Sequence, residues 1–252
     1  MRRYVVLAVL FLGGTAAWCS VDTLKDTSDI YDTYIYSWVS CNQEIFNENC
    51  LRFNAGAVVN ATVGKIAGLN ETRMLLSLPG WDGVVPDSAV LRVYCSYEKD
   101  ALVRRIMAYP LTRAFSEGSE NDYNTGTYPD PDSGATWLHA YLDDGDDDSV
   151  LWTNPGGDYT TAIACTTTIA GTGEYFSFDH FRRLLNYFDT SGSNYGFILV
   201  NENAMPSVSS GKVLRSSEGP GSTVPLLILH EYEPSSLPMR RGRVIKRGSV
   251  GQ

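Results

Sequence analysis

The feature that most limits what this chain can fold into is a repeated alternation of apolar and polar residues over short runs. Successive side chains of a strand point to opposite faces, so an alternating run predicts a strand with one face buried. The clearest run is Ser88 to Tyr97, where Ala89, Leu91, Val93, Cys95 and Tyr97 fall on one face and Arg92, Tyr94 and Ser96 on the other. Tyr31 to Val39 repeats the pattern, with Tyr31, Thr33, Ile35, Ser37 and Val39 together. Further strands are predicted over 103–115, 159–170, 195–201, 212–218 and 224–233. Phe197 to Val200 and Leu226 to Leu229 are unbroken apolar runs, which predicts strands covered on both faces.

One segment follows a different period. Phe181, Leu184, Leu185 and Phe188 recur at helical spacing, with Asp179 placed as N-cap and Gly192 just past the end. No repeat of 20–50 residues marks a solenoid or propeller. Many short strands with one short amphipathic helix predict an all-β fold, a β-sandwich of jelly-roll type with the helix over one end.

The ends differ from this body. Arg2 and Arg3, then the apolar stretch Tyr4 to Leu12, then Gly-Gly-Thr-Ala-Ala, have the form of a secretory signal over 1–19. That stretch is too short to span a bilayer. The body is expected over 20–233. A basic tail over 234–252, with Arg240, Arg241, Arg243, Lys246 and Arg247 and no acid among them, is expected to be disordered or to touch an acidic surface. Between them lie 13 basic and 29 acidic side chains, a net of −16, which argues against nucleic acid as partner. Export also changes how the cysteines read. Cys41 and Cys50 lie nine residues apart and suit a loop-closing bridge, while Cys95 and Cys165 suit either a second bridge or two buried thiols. None has zinc-site spacing.

The stretch from Ser133 to Tyr159 holds Trp137 and Trp152 around a run of aspartates and closes on Pro155-Gly156-Gly157-Asp158. The two indoles are expected to pack inside, each giving its N–H to a nearby carbonyl, in preference to stacking on sugars. The Pro-Gly-Gly segment predicts a tight turn with a residue at positive φ. Asp144, Asp146 and Asp148 alternate as calcium ligands do, although no bidentate glutamate stands at the twelfth position of an EF-hand; the other reading is a solvated acidic loop. Trp81, Tyr123, Tyr128 and Tyr141 lie in turn-rich segments and are candidates for exposed rings that stack on sugar faces. Arg104, Arg105 and Arg113 are candidates for a basic strip that would meet an acidic polymer. Asn60-Ala61-Thr62 and Asn70-Glu71-Thr72 are glycosylation sequons. His139, His180 and His230 stand in no metalloprotease motif, and no nucleophile elbow is present, so no catalytic residue is assigned.

Several segments, in order, resemble the DNRLRE-type β-sandwich domains, which are related to alginate-binding carbohydrate modules and to disaggregatase-related domains of microbial surface proteins. The segments are Asp-Thr-Tyr-Ile-Tyr-Ser from Asp32, Val-Gly-Lys-Ile-Ala-Gly-Leu-Asn-Glu-Thr-Arg-Met-Leu-Leu-Ser-Leu-Pro-Gly from Val63, and Pro-Asp-Ser-Ala-Val-Leu-Arg-Val-Tyr from Pro86. Ala-Tyr-Pro-Leu-Thr-Arg-Ala-Phe-Ser-Glu-Gly-Ser from Ala108, Ser-Gly-Ala-Thr-Trp from Ser133 and Trp-Thr-Asn-Pro-Gly-Gly-Asp-Tyr from Trp152 follow. The closing strands from Asn194, Val213 and Pro225 complete the likeness. Met74 to Gly80 departs from the family's Leu-Leu-Arg-Phe-Asp-Leu, and Phe115 stands where the family has a Trp. The resemblance implies a secreted or surface-displayed, non-catalytic binding module with a jelly-roll fold. Polysaccharide is the expected partner, with calcium as a candidate ion. A structural or adhesive surface protein with protein partners, and an enzyme acting on acidic polysaccharide, are the alternatives.

Overall fold

The computed structural model describes residues 18–25, 27–37, 55–66, 70–118, 134–141, 148–204 and 209–233. Thirteen strands and one helix account for most of them. In chain order these are β1 Trp18–Leu24, β2 Tyr31–Tyr36, β3 Asn60–Ile66, β4 Asn70–Ser77, β5 Ser88–Glu98, β6 Arg104–Pro110, β7 His139–Tyr141, β8 Val150–Leu151, β9 Cys165–Ile169, β10 Glu174–Phe178, α1 Arg182–Ser191, β11 Phe197–Asn201, β12 Ser210–Arg215 and β13 Leu226–Glu233. Eleven strands form one strongly curled antiparallel sheet in the order β1-β13-β5-β12-β3-β4-β11-β6-β9, with β10 added to β5 and β2 to β4; β7 and β8 form a separate hairpin. The fold is therefore all-β with one helix. None of its helices is long and apolar enough to cross a membrane, among the described residues.

The sheet turns its corner at β3. Gly64 and Gly211 stand opposite each other where β3 meets β12, with φ of 142° and 148°. A Cβ on Gly64 would lie 2.3 Å from the Ser210 carbonyl oxygen and 2.7 Å from the Gly211 Cα. Two backbones pass there with no room for a side chain. Beyond the corner β3 passes from β12 to β4, which joins the two arms of the sheet.

Inside the curl lies the main core. Phe178, Phe181, Phe188 and Phe197 are its largest fully buried rings, with Met74, Leu76, Leu91, Val93 and Leu214 around them. The helix contributes Leu184, Leu185 and Phe188, in agreement with the helical spacing. It ends on Gly192 in the left-handed conformation, also as expected. Its start is different: the N-cap position is Phe181, in αR conformation with no side-chain cap, so Asp179 does not cap it. Phe181 is buried and sits 5.0 Å from Phe197 edge to face, and core packing fixes this end in place of a polar cap.

β11 is covered on both faces. Phe197 and Leu199 enter the main core, while Ile198 and Val200 enter a second cluster with Ile35, Leu75, Leu111, Phe115, Ala135, Ala140 and Trp152. β13 differs from the expectation for its apolar run, because Leu227 and Leu229 are buried but Leu226 and Ile228 are only half-buried. The second cluster reaches β2, β4 and β11 and takes no residue from β13. β5 alternates as its sequence predicts from Ala89 to Cys95, but Tyr97 points outward and is 61% exposed. The register against β12 slips there, with Leu214 opposite Cys95 and Val213 opposite Tyr97. The extra residue of a bulge reverses the facing of every side chain beyond it. Cys95 and Cys165 are buried free thiols, each pushed up to about 11 by burial, so they form no bridge. Cys41 and Cys50 lie outside the described residues.

Gly64→Ala is expected to destabilise the fold by about 2–4 kcal/mol, since both the backbone conformation and the space exclude a methyl group. Urea unfolding checks this, and a variant within about 0.5 kcal/mol of wild type would show that the corner can relax.

Candidate functional site

Residues 134–141 and 148–159 cover the outer face of β4 and β11, with Ala135, Ala140 and Trp152 against Leu75 and Ile198. Trp152 is buried and donates its indole N–H to the Thr136 carbonyl at 3.0 Å, as the sequence led one to expect. Trp137 is half-buried beneath Arg73 of β4, whose guanidinium lies 5.0 Å from the ring centre and 5.5 Å from that of Tyr159. Arg73 also donates to the Gly156 carbonyl at 2.7 Å and pairs with Glu71 at 2.7 Å. Gly156 sits at φ 89°, and a Cβ there would meet the Trp137 ring at 2.7 Å, so this turn needs glycine for both reasons. Asp158 closes the turn by accepting from the Thr153 and Asn154 N–H groups at 2.8 and 2.9 Å. Burial alone would raise its carboxyl, but those N–H groups and Arg113 outweigh it and hold the carboxyl below the usual range. Trp152 thus belongs to the interior, while Trp137 is half-buried and Val150 and Leu151 face outward.

Other expected site residues are also drawn into structure. Trp81 is 7% exposed, lies 6.1 Å from Phe188 and donates its indole N–H to the Val84 carbonyl at 2.8 Å; it is a core residue and offers no sugar platform. Arg104 is buried and bound by Asp100 in a two-pronged pair, at 2.6 and 3.1 Å. Arg105, its neighbour along β6, pairs with Glu202 at 3.1 Å, and Arg113 pairs with Asp158 at 3.1 Å. The three arginines answer three separate carboxylates and make no strip. Tyr141 is half-buried on the β7–β8 hairpin, and Asp148 is exposed. Tyr123, Tyr128, Asp144 and Asp146 lie outside the described residues. No group of three or more metal-ligating side chains converges among the described residues.

Elsewhere among the described residues, a groove of about 520 Å³ runs along β3, β12 and the end of β5. Tyr97 stands in it because of the bulge, with the Lys99 ammonium 5.9 Å from its ring centre. Asn60 accepts from the Ser96 hydroxyl at 2.9 Å, and Ser96 also reaches the Val213 carbonyl at 3.2 Å. Val59, 40% exposed, and Val58 form an apolar wall, and Arg215 lies beside them with its Nε buried and unbonded. Among the described residues neither Lys99 nor Arg215 pairs with a carboxylate, whereas Arg73, Arg104, Arg105, Arg113 and Lys212 all do. An exposed ring, an amide, a hydroxyl and two cations thus lie together in one concave strip. The alternating pattern placed Tyr97 indoors, and nothing in the sequence marks Lys99 or Arg215 apart from other surface cations.

Beside the groove lies a buried acidic junction. Asp32 of β2 is 2% exposed; its Oδ2 accepts the Ser217 N–H at 2.6 Å, and its own N–H donates to Glu117 Oε1 at 2.9 Å. Burial pushes the Asp32 carboxyl up to about 8 against the pull of Ser217, with Glu117 and Glu218 adding to the rise. Burial likewise pushes Glu117 up to about 7. No protein-family model matches the chain, and no curated protein matches it.

In the unfolded chain these carboxyls ionise near about pH 4, whereas the folded chain keeps their protons toward neutrality, so unfolding releases protons in between. The stability contributed by these two groups therefore falls as pH rises from about 4 toward 8. Asp32→Asn keeps an acceptor for Ser217 and cannot ionise. It is expected to match wild type near about pH 4 and to exceed it by about 2 kcal/mol near about pH 9, read by urea unfolding. A variant less stable by the same amount at both pH values would contradict a protonated Asp32.

Proposed function

We propose that this chain is a secreted or cell-surface, non-catalytic module of jelly-roll β-sandwich type that binds polysaccharide in the groove along β3, β12 and β5. The observation that carries the reading is Tyr97, an aromatic ring turned out of the core by a bulge and flanked by Lys99, Asn60 and Ser96. Rings exposed in this way stack on the apolar faces of sugars, and the amide and hydroxyl beside them suit sugar hydroxyls. Chains that carry carboxylates are the better match. The body is acidic overall, and Lys99 and Arg215 give this strip a local positive character free of internal carboxylate partners among the described residues. The raised carboxyls of Asp32 and Glu117 do not favour a hydrolase, since the Asp32 carboxyl is enclosed where no substrate reaches it.

Isothermal titration against soluble neutral polysaccharides and polyuronates tests the reading. Tyr97→Ala is expected to weaken binding about tenfold or more, near 1.4 kcal/mol for each decade. Its thermal stability should stay within about 0.5 kcal/mol of wild type, because the ring is largely exposed. Undiminished affinity in Tyr97→Ala, or binding to no glycan at all, would remove the groove from consideration.

A further inference from the structure

The glycosylation sequon Asn60-Ala61-Thr62 opens β3, on one side of the groove. Side chains two apart on a strand share a face, so Asn60 and Thr62 point one way and Ala61 the other. Asn60 and Thr62 both line the groove, and Ala61 is fully buried in the main core. Asn60 itself is exposed, and its register partner on β12 is Arg215. The strand therefore carries the acceptor asparagine of the sequon into the groove.

The Asn60 amide is arranged for attachment. Its Oδ1 accepts from the Ser96 hydroxyl at 2.9 Å, whereas linkage to a sugar uses the other end of the amide, Nδ2. Replacing one of the two hydrogens on Nδ2 leaves the bond to Ser96 in place. The middle residue of the sequon is Ala61, so the proline that would bar it is absent. The surroundings suit a sugar as well. Tyr97, 61% exposed, and Val59, 40% exposed, offer apolar surface for one face of a pyranose ring, and Lys99 offers a donor to its hydroxyls. A sugar tethered at Asn60 has a high effective concentration in the groove, so weak stacking on Tyr97 is enough to hold it there.

We propose that Asn60 is an N-glycosylation site whose first sugars lie in the groove against Tyr97 and cover it. The inference rests on the secreted-module reading above, because the sugar donor, a polyprenyl-diphosphate-linked oligosaccharide, is met on the export route. In the transfer the bond from the sugar C1 to the diphosphate oxygen breaks and the diphosphate leaves with the electron pair. A bond forms from Nδ2 to C1, and Nδ2 gives up one proton. The transfer takes place while the sequon is still unfolded, so the burial of Thr62 in the folded chain, at 7% exposure, does not hinder it. Copies that carry the glycan have a filled groove, and copies without it present Tyr97 to external polysaccharide. Occupancy of one asparagine thus sets how much of the secreted chain binds.

The experiment begins with glycopeptide mass mapping of the full chain recovered from the cells that make it. A glycan on Asn60 is expected, and Asn60 left bare in every copy would overturn the site. The glycosylated chain, made in a eukaryotic secretory host, is then studied by NMR. Nuclear Overhauser contacts between the first sugar and the Tyr97 ring are expected, and a glycan on Asn60 without them would overturn its place in the groove. Last, a polyuronate oligosaccharide is titrated into three forms: the glycosylated chain, the same chain made in bacteria without glycans, and Thr62→Val from the eukaryotic host. Thr62→Val breaks this sequon, keeps Asn60 and leaves the sequon at Asn70 intact. The bacterial chain and Thr62→Val should both bind about tenfold or more tighter than the glycosylated chain. Equal affinity in all three would overturn the covering of the groove. If the sugar touches Tyr97 but no form binds the oligosaccharide, the glycosylation site stands and the polysaccharide reading fails. If Asn60 is bare and the oligosaccharide binds, the polysaccharide reading stands and the glycosylation site fails.

Discussion

The structure depends on β11 being buried on both sides. A strand with water on one face needs polar residues there, and Phe197, Ile198, Leu199 and Val200 supply none. Phe197 and Leu199 find the main core, and Ile198 and Val200 need a second cover. That cover comes from the described residues around Trp137 and Trp152, which pack Ala135, Ala140 and Trp152 into the second cluster and are tied by polar contacts as well. Trp152 gives its N–H to Thr136, Asp158 gathers two N–H groups, and Arg73 reaches from β4 across Trp137 to the Gly156 carbonyl. Among the described residues of the cover no buried side-chain polar atom lacks a hydrogen-bond partner, as a chain laid over an apolar sheet requires.

Covering one arm of the curled sheet leaves the other arm to meet the surroundings. The groove is lined by the segment that leads into β3, by β3, β12 and the end of β5, and by Tyr34 of β2. The two arms have divided their tasks. One spends its outer face on packing the tryptophans, and the other presents Tyr97 and two cations that no carboxylate among the described residues matches. The acidic junction at Asp32 sits between them, tied by β2 to the covered arm and by Ser217 to the open one.

Much of the fold was legible in the sequence because it follows from local period. The alternation in β5, the double-sided run of β11, the helix Arg182–Ser191 with its buried Leu184, Leu185 and Phe188, and its glycine stop all have causes within a dozen residues. The packing role of Trp152 and the tight turn at Gly156 were legible for the same reason. What escaped depends on partners far away. Tyr97 faces outward because β12 slips in register by one residue, and no pattern within β5 announces it. Arg104 looks like any strand arginine until the fold buries it and brings the Asn203 carbonyl to it beside Asp100, four residues earlier, and Trp81 sits in a turn-rich segment yet packs on Phe188 of the helix. Asp32 reads as an ordinary polar residue at the start of a strand, and only the closure of the fold puts Glu117 and Ser217 around it.

The central claim is that ligand meets the arm bearing Tyr97 and leaves the tryptophan-covered arm undisturbed. Chemical-shift mapping with a polyuronate oligosaccharide tests it most directly, since the indole N–H signals of Trp137 and Trp152 report one arm and the amides of Asn60, Tyr97 and Lys99 the other. The account predicts that those amides shift with saturation while both indole signals stay in place. Indole signals that move while the Tyr97 and Lys99 amides stay fixed would contradict it.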